Sequence, residues 1–164
     1  MMLLSKNDLG HWDTFGVHPK DFDTEKYFGF IYCIENTKTE QFYLGKKQFR
    51  TNGKKRSKNY NKEHNWRAYT GSSTKLNLAI SELGKENFVF KIIDLYNTKG
   101  GLYYAEAYTQ MLLGTMTDYL PDGKTPRWYN AQIGPVRFIP KEKPTPKTER
   151  FIKSIKRKLH GKNS

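Results

Sequence analysis

The amino-acid sequence predicts an α+β domain: a small, mostly antiparallel three-stranded sheet flanked by helices, with a basic C-terminal tail. Three patterns support this class. Aromatic and β-branched residues dominate 28–35 and 41–45, and the polar turn Asn36-Thr37-Lys38-Thr39-Glu40 separates them, as in a β-hairpin. Two stretches with apolar residues at helical spacing follow, around Leu76 and around Leu102. Between them, residues 87–96 alternate in the manner of a third strand. Strand, strand, helix, strand, helix is the order of an α+β domain.

Each element has local reasons. Residues 1–26 are polar with scattered aromatics (Trp12, Phe15, Phe22) and read as an irregular lead-in that packs onto the domain. In 87–96, Phe88, Phe90 and Ile92 fall on one face and Val89, Ile93 and Leu95 largely on the other, which suits a strand buried on both sides. Residues 46–65, rich in Lys, Asn and Ser, read as a loop or an interrupted helix. Ser72-Ser73-Thr74 supplies an N-cap for a helix carrying Leu76, Ala79, Ile80 and Leu83, and Gly84 stops it. Lys99-Gly100-Gly101 reads as a chain break, after which Leu102, Ala105, Thr109, Leu112 and Leu113 mark a second helix. Pro135, Pro140, Pro144 and Pro146 make 135–164 a proline-containing linker and basic tail. Within it, 147–160 have the pattern of a basic helix with Phe151, Ile152, Ile155 and Leu159 on one side.

Composition excludes several classes. The chain of 164 residues is 36% hydrophobic, with 10 Phe, 11 Tyr and 3 Trp to fill a single core. Its longest apolar stretch, 28–34, is too short to cross a bilayer, and Met1-Met2-Leu3-Leu4 lacks the basic flank of a secretion signal. Cys33 alone makes neither an internal disulfide nor a cysteine-rich zinc site, and the four histidines lack metal-binding spacing. The expectation is a soluble cytoplasmic protein with no membrane contact and no evident protein partner.

The formal charge of +13 is clustered. Residues 46–75 hold 10 basic side chains against Glu63 alone, and 137–164 hold 10 against two acids. The remainder is near neutral or slightly acidic. Phosphate backbones are the natural partner for such fields, through counterion release and steering.

Glu106 is the most informative residue. At about 100° per residue, Leu102, Ala105, Thr109 and Leu113 share its helix face, so a carboxylate sits on the stripe that faces the core. Burying it unpaired costs several kcal/mol, so either a basic side chain or a metal ion must meet it. Two tyrosines join it in a series: Gly29-Phe30-Ile31-Tyr32 and Tyr43-Leu44-Gly45 on adjacent hairpin strands, then Gly45-Lys46-Lys47, Ser72-Ser73-Thr74-Lys75-Leu76, Gly84-Lys85-Glu86-Asn87-Phe88, Glu106 and Trp128-Tyr129-Asn130.

Over 27–134 this series resembles the GIY-YIG nuclease superfamily, most closely its free-standing phage homing-endonuclease branch. The resemblance implies a DNA endonuclease that hydrolyses phosphodiester bonds with Mg2+ (or Mn2+). It implies that Tyr32 acts as, or directs, the general base, that Tyr43 contacts the scissile phosphate, and that Glu106 binds the metal. Asn130 would support the site, and the backbone would approach substrate at Gly45. The first motif reads Phe-Ile-Tyr and the second Tyr-Leu-Gly, both apolar departures. The family's arginine falls where this chain has Gly53; Arg50, Arg56 and Arg67 are the alternatives, Arg67 being favoured, with Lys46 sharing the work. Lys47, Arg50, Lys54, Lys55 and Arg56, with Lys156 and Arg157 of the tail, are the expected phosphate contacts.

Overall fold

The computed structural model describes residues 8–51, 62–63 and 65–161. Four strands, β1 (Asp13–Thr14), β2 (Gly29–Asn36), β3 (Gln41–Gln48) and β4 (Phe88–Tyr96), form one sheet in the order β1-β4-β2-β3. Among the described residues there are three α-helices, α1 (Thr74–Leu83), α2 (Lys99–Leu113) and α3 (Pro146–His160). None is long and apolar enough to cross a membrane.

The sheet is mixed and four-stranded, which corrects the three-stranded, mostly antiparallel expectation. β2 pairs antiparallel with both β3 and β4, but β1 joins β4 in parallel. The added strand is two residues long, too short for any periodicity. It is fixed by register with Lys91 and Ile92 and by the Phe15 amide, which donates to the Ile92 carbonyl at 2.8 Å. This leaves β4 interior and β3 at the edge.

Both sheet faces are covered, so β2 reads as a continuous apolar run rather than an alternation. Phe30, Tyr32 and Ile34 join one core with Trp12, Phe22, Trp66, Leu76 and Phe90. Ile31 and Cys33 join the other with Phe42, Leu44, Ile93, Leu102, Ala105, Phe151 and Ile152. Trp12, Val17 and Phe22 of the lead-in thus pack in the first core, while Phe15 packs edge-on to Phe151 of α3 against the second.

Gly100 and Gly101 do not break the chain; both lie in the first turn of α2. The Thr98 hydroxyl caps that turn by accepting from the Gly101 amide at 3.0 Å. A side chain at 101 would run into the Glu142 carboxylate, which accepts from the Asn97 and Thr98 amides at 2.9 and 3.0 Å. Glycine is therefore required there by a close approach. Leu112 lies half outside the stripe, while Leu113 is buried.

Burial also fixes one titration. His11 stacks on Phe90 with ring centroids 4.0 Å apart. Burial first, and the Lys85 ammonium second, push its pKa from 6.5 down to about 4. The folded chain therefore binds this proton more weakly than the unfolded chain does. Its stabilising contribution is complete above about pH 6.5 and is lost as pH falls toward 4. Urea midpoints should drop across that window, and His11→Phe should flatten the drop; a wild-type midpoint constant from pH 7 to 4 would contradict this.

Candidate active site

The hairpin register sets the site. Tyr32 pairs with Gly45 and Ile34 with Tyr43, so the two phenols share one sheet face as diagonal neighbours, ring centroids 6.1 Å apart. Tyr69 completes a cluster, its ring edge-on to Tyr32 at 6.2 Å and beneath the Lys47 ammonium at 4.4 Å. The Tyr43 hydroxyl lies 3.3 Å from Ser72 Oγ, just ahead of α1, whose Ser73 cap accepts from the Leu76 amide.

Lys46 alternates to the opposite face, toward α2. Its ammonium donates to Glu106 Oε1 at 2.8 Å and stands 4.3 Å from the Tyr103 ring centroid. The acid on the core-facing stripe is thus met by a lysine. Cavities of about 420 and 350 Å³ flank this pair, and Tyr43, Lys46, Ser72 and Glu106 line both. Asn130 and Gln110 line the larger cavity; Tyr32, Lys47 and Tyr69 line the smaller.

Asn130 acts through the edge strand. Arg127–Tyr129 runs alongside β3, where the Phe42 amide donates to the Arg127 carbonyl and the Tyr129 amide to the Phe42 carbonyl, at 2.9 and 2.7 Å. Two residues further on, the Asn130 side chain replaces a neighbouring strand. Its Oδ1 accepts from the Leu44 amide at 3.1 Å and its Nδ2 donates to the Leu44 carbonyl at 2.8 Å. Gln110 Nε2 donates to the same carbonyl at 3.1 Å. Asn130→Ala takes the acceptor from the Leu44 amide and leaves the carbonyl with Gln110 as its side-chain donor, and it should destabilise the fold by about 1–3 kcal/mol. A denaturant titration would show it; an unchanged midpoint would contradict it.

Electrostatics restrain the phenols. Burial, then Tyr43, Tyr69 and Glu106, hold the Tyr32 pKa well above its ordinary value, so its resting form is the neutral phenol. Burial likewise raises Tyr69, against lowering contributions from Ser72, Tyr32 and Lys46, and it depresses the Lys47 ammonium.

Tyr32, Tyr43, Lys46, Lys47, Glu106 and Asn130 are thus brought together, with Gly45 between the phenols. Arg67 is not. Its Nε donates to the Asp8 carbonyl at 2.8 Å, its Nη1 pairs with Glu63 at 2.5 Å, and its guanidinium stacks on Trp66. Arg50 reaches toward Glu25 at 3.9 Å, and Lys156 and Arg157 lie on α3; none lines either cavity. Lys54, Lys55 and Arg56 fall outside the described residues. Sequence reasoning missed Tyr69 and Gln110. Gln110 was signalled by its place four residues after Glu106 on one helix face, whereas nothing distinguished Tyr69 from a packing aromatic.

Two tyrosines on a hairpin, set against a helix-borne glutamate across an edge strand, define a GIY-YIG nuclease domain. A family model described as "Putative endonuclease segE, GIY-YIG domain" matches residues 12–133, and the chain belongs to that family. The match starts at Trp12, whose ring packs 5.0 Å from that of Tyr32. No curated protein and no solved structure matches the chain significantly.

Proposed function

We propose that this chain is a divalent-metal-dependent DNA endonuclease of the phage homing type, acting in the cytoplasm of a bacterial host. The observation that supports it is the meeting of Tyr43, Lys46, Ser72 and Glu106, from three separate parts of the chain, on both cavities.

The donor set suits a hard ion in a particular way. Among the described residues, Glu106 is the single carboxylate lining the two cavities, and no group of three acidic, histidine or cysteine side chains gathers. Mg2+ binds through one or two carboxylates while keeping water and substrate phosphate oxygens, so one glutamate beside an open cavity fits it. Mg2+ or Mn2+ held there would place positive charge against the scissile phosphate and offset the carboxylate that helps keep Tyr32 neutral.

The chain's own groups do the rest. Lys46 uses one ammonium hydrogen on Glu106 and has two others with which to meet a phosphate oxygen as charge develops. Tyr43, beside Ser72, lies at the junction of the cavities and orients the scissile group. Tyr32, neutral at rest, positions the attacking water by accepting a hydrogen bond at its hydroxyl oxygen, and it serves as a base only after its own proton has passed to solvent and nearby cations hold the phenolate.

Supercoiled plasmid with Mg2+ tests this. Nicked or linear product is expected, abolished by chelator and restored by Mn2+. Cutting that survives chelation overturns the metal dependence. A second reading, an idle nucleic-acid-binding protein on the same scaffold, draws on the engaged Lys46–Glu106 pair and the raised Tyr32; tight binding without cutting in either metal would establish it.

A further inference from the structure

We infer that the outer face of α3 is a second phosphate-binding surface, which holds the backbone of the substrate nucleic acid away from the scissile step. This rests on the nuclease reading above but uses no residue of the pocket. Helix α3 turns Thr148, Phe151, Ile152 and Ile155 into the protein. Opposite them, Arg150, Lys153, Arg157 and Lys158 line a shallow hollow of about 600 Å³ with Ser154 and Gly161, and no acid is among them. Lys158 is bonded to Glu35 at 2.8 Å, but none of the ion pairs among the described residues uses Arg150, Lys153 or Arg157.

Positions 150, 153 and 157 stand three and four apart, so these cations form one ridge along the helix. At about 1.5 Å rise per residue the ridge is about 10 Å long, comparable to three successive nucleotides of one strand at about 3.4 Å each. Two of the three are arginines, whose planar forks match phosphate oxygens in pairs. The helix beneath the ridge is anchored at both ends. Thr145 caps the helix start and donates to Asp94, while Lys158 with Glu35 and His160 with Asp118 tie down its end. The helix is thus ordered before binding, and only the three side chains have to order on meeting a polyanion. Solubilising charge would not need to gather on one unpaired ridge.

The test compares the full chain with the triple variant Arg150→Gln, Lys153→Gln, Arg157→Gln. A control, Lys38→Gln, Lys124→Gln, Lys141→Gln, removes the same charge from exposed positions elsewhere. Duplex DNA binding is measured against salt concentration, with chelator present, and plasmid cutting is measured alongside at low salt. The ridge variant should melt like wild type, cut at low salt, and bind with a salt slope shallower by about 2–3 than wild type. The control should keep most of the slope. An unchanged slope in the ridge variant, or an equal loss in the control, overturns the inference while wild-type cutting upholds the nuclease reading. A ridge effect in a wild type that never cuts upholds the surface and removes the nuclease reading. Loss of binding to polyglutamate with unchanged binding to DNA would assign the ridge to an acidic protein and overturn it.

Discussion

Glu106→Gln should cut plasmid DNA at least about 10²–10³-fold more slowly than wild type while binding it normally, since one charged group aimed at a developing oxyanion or its counter-ion supplies that much. The amide keeps the side chain's shape and removes only the charge. Stability should barely change. The Lys46–Glu106 pair is partly exposed, at 27% and 15% of the two side chains, and such pairs contribute no more than about 1 kcal/mol. The expectation is therefore a split: nicking lost, thermal midpoint and DNA affinity kept. Equal cutting by both proteins would move the active site elsewhere. Collapse of folding and cutting together would make Glu106 a structural ion-pair member.

Gly45→Ala should damage both the fold and the chemistry. A Cβ there would meet Tyr32 Oη at 2.5 Å, Tyr32 Cζ at 2.7 Å and Tyr43 Cε1 at 2.9 Å. Neither ring can yield easily. Tyr32 is 1% exposed and is enclosed by Trp12, Phe30 and Tyr69. Overpacking of this kind destabilises by about 1–3 kcal/mol. Relieving these contacts displaces the phenols by about 1 Å, a misplacement that should slow cleavage by about 10²-fold. The pair of readouts is a denaturant midpoint and a nicking rate at a temperature where the variant is fully folded. A variant with wild-type values of both would mean that the crowding at Gly45 has no bearing on the site.

Much of the architecture was legible because it is written in local chemistry. The aromatic and β-branched runs that become β2, β3 and β4, the Ser73 cap, the Gly84 stop and the apolar side of α3 are all short-range signals. What escaped depends on distant partners. β1 exists because the free edge of β4 needs hydrogen bonds, which two residues cannot advertise. Gly100 and Gly101 look like a break until Glu142, some forty residues later, lies across them. The order of weak motifs pointed to the family, and the match over 12–133 bears that out. Arg67 could not be placed from its neighbours in sequence, because Glu63 and Asp8 draw it away from the pocket. Tyr69 was hidden for the opposite reason: an aromatic beside Trp66 reads as packing until its phenol is seen against Tyr32.

The most direct measurement is a crystal of Tyr43→Phe bound to a cleavable duplex with Mn2+, examined for anomalous scattering. One manganese peak is expected against the Glu106 carboxylate, with a backbone phosphate in the cavity beside Lys46. A duplex bound with its phosphates on another face, or manganese held by other side chains with Glu106 still locked to Lys46, would contradict it.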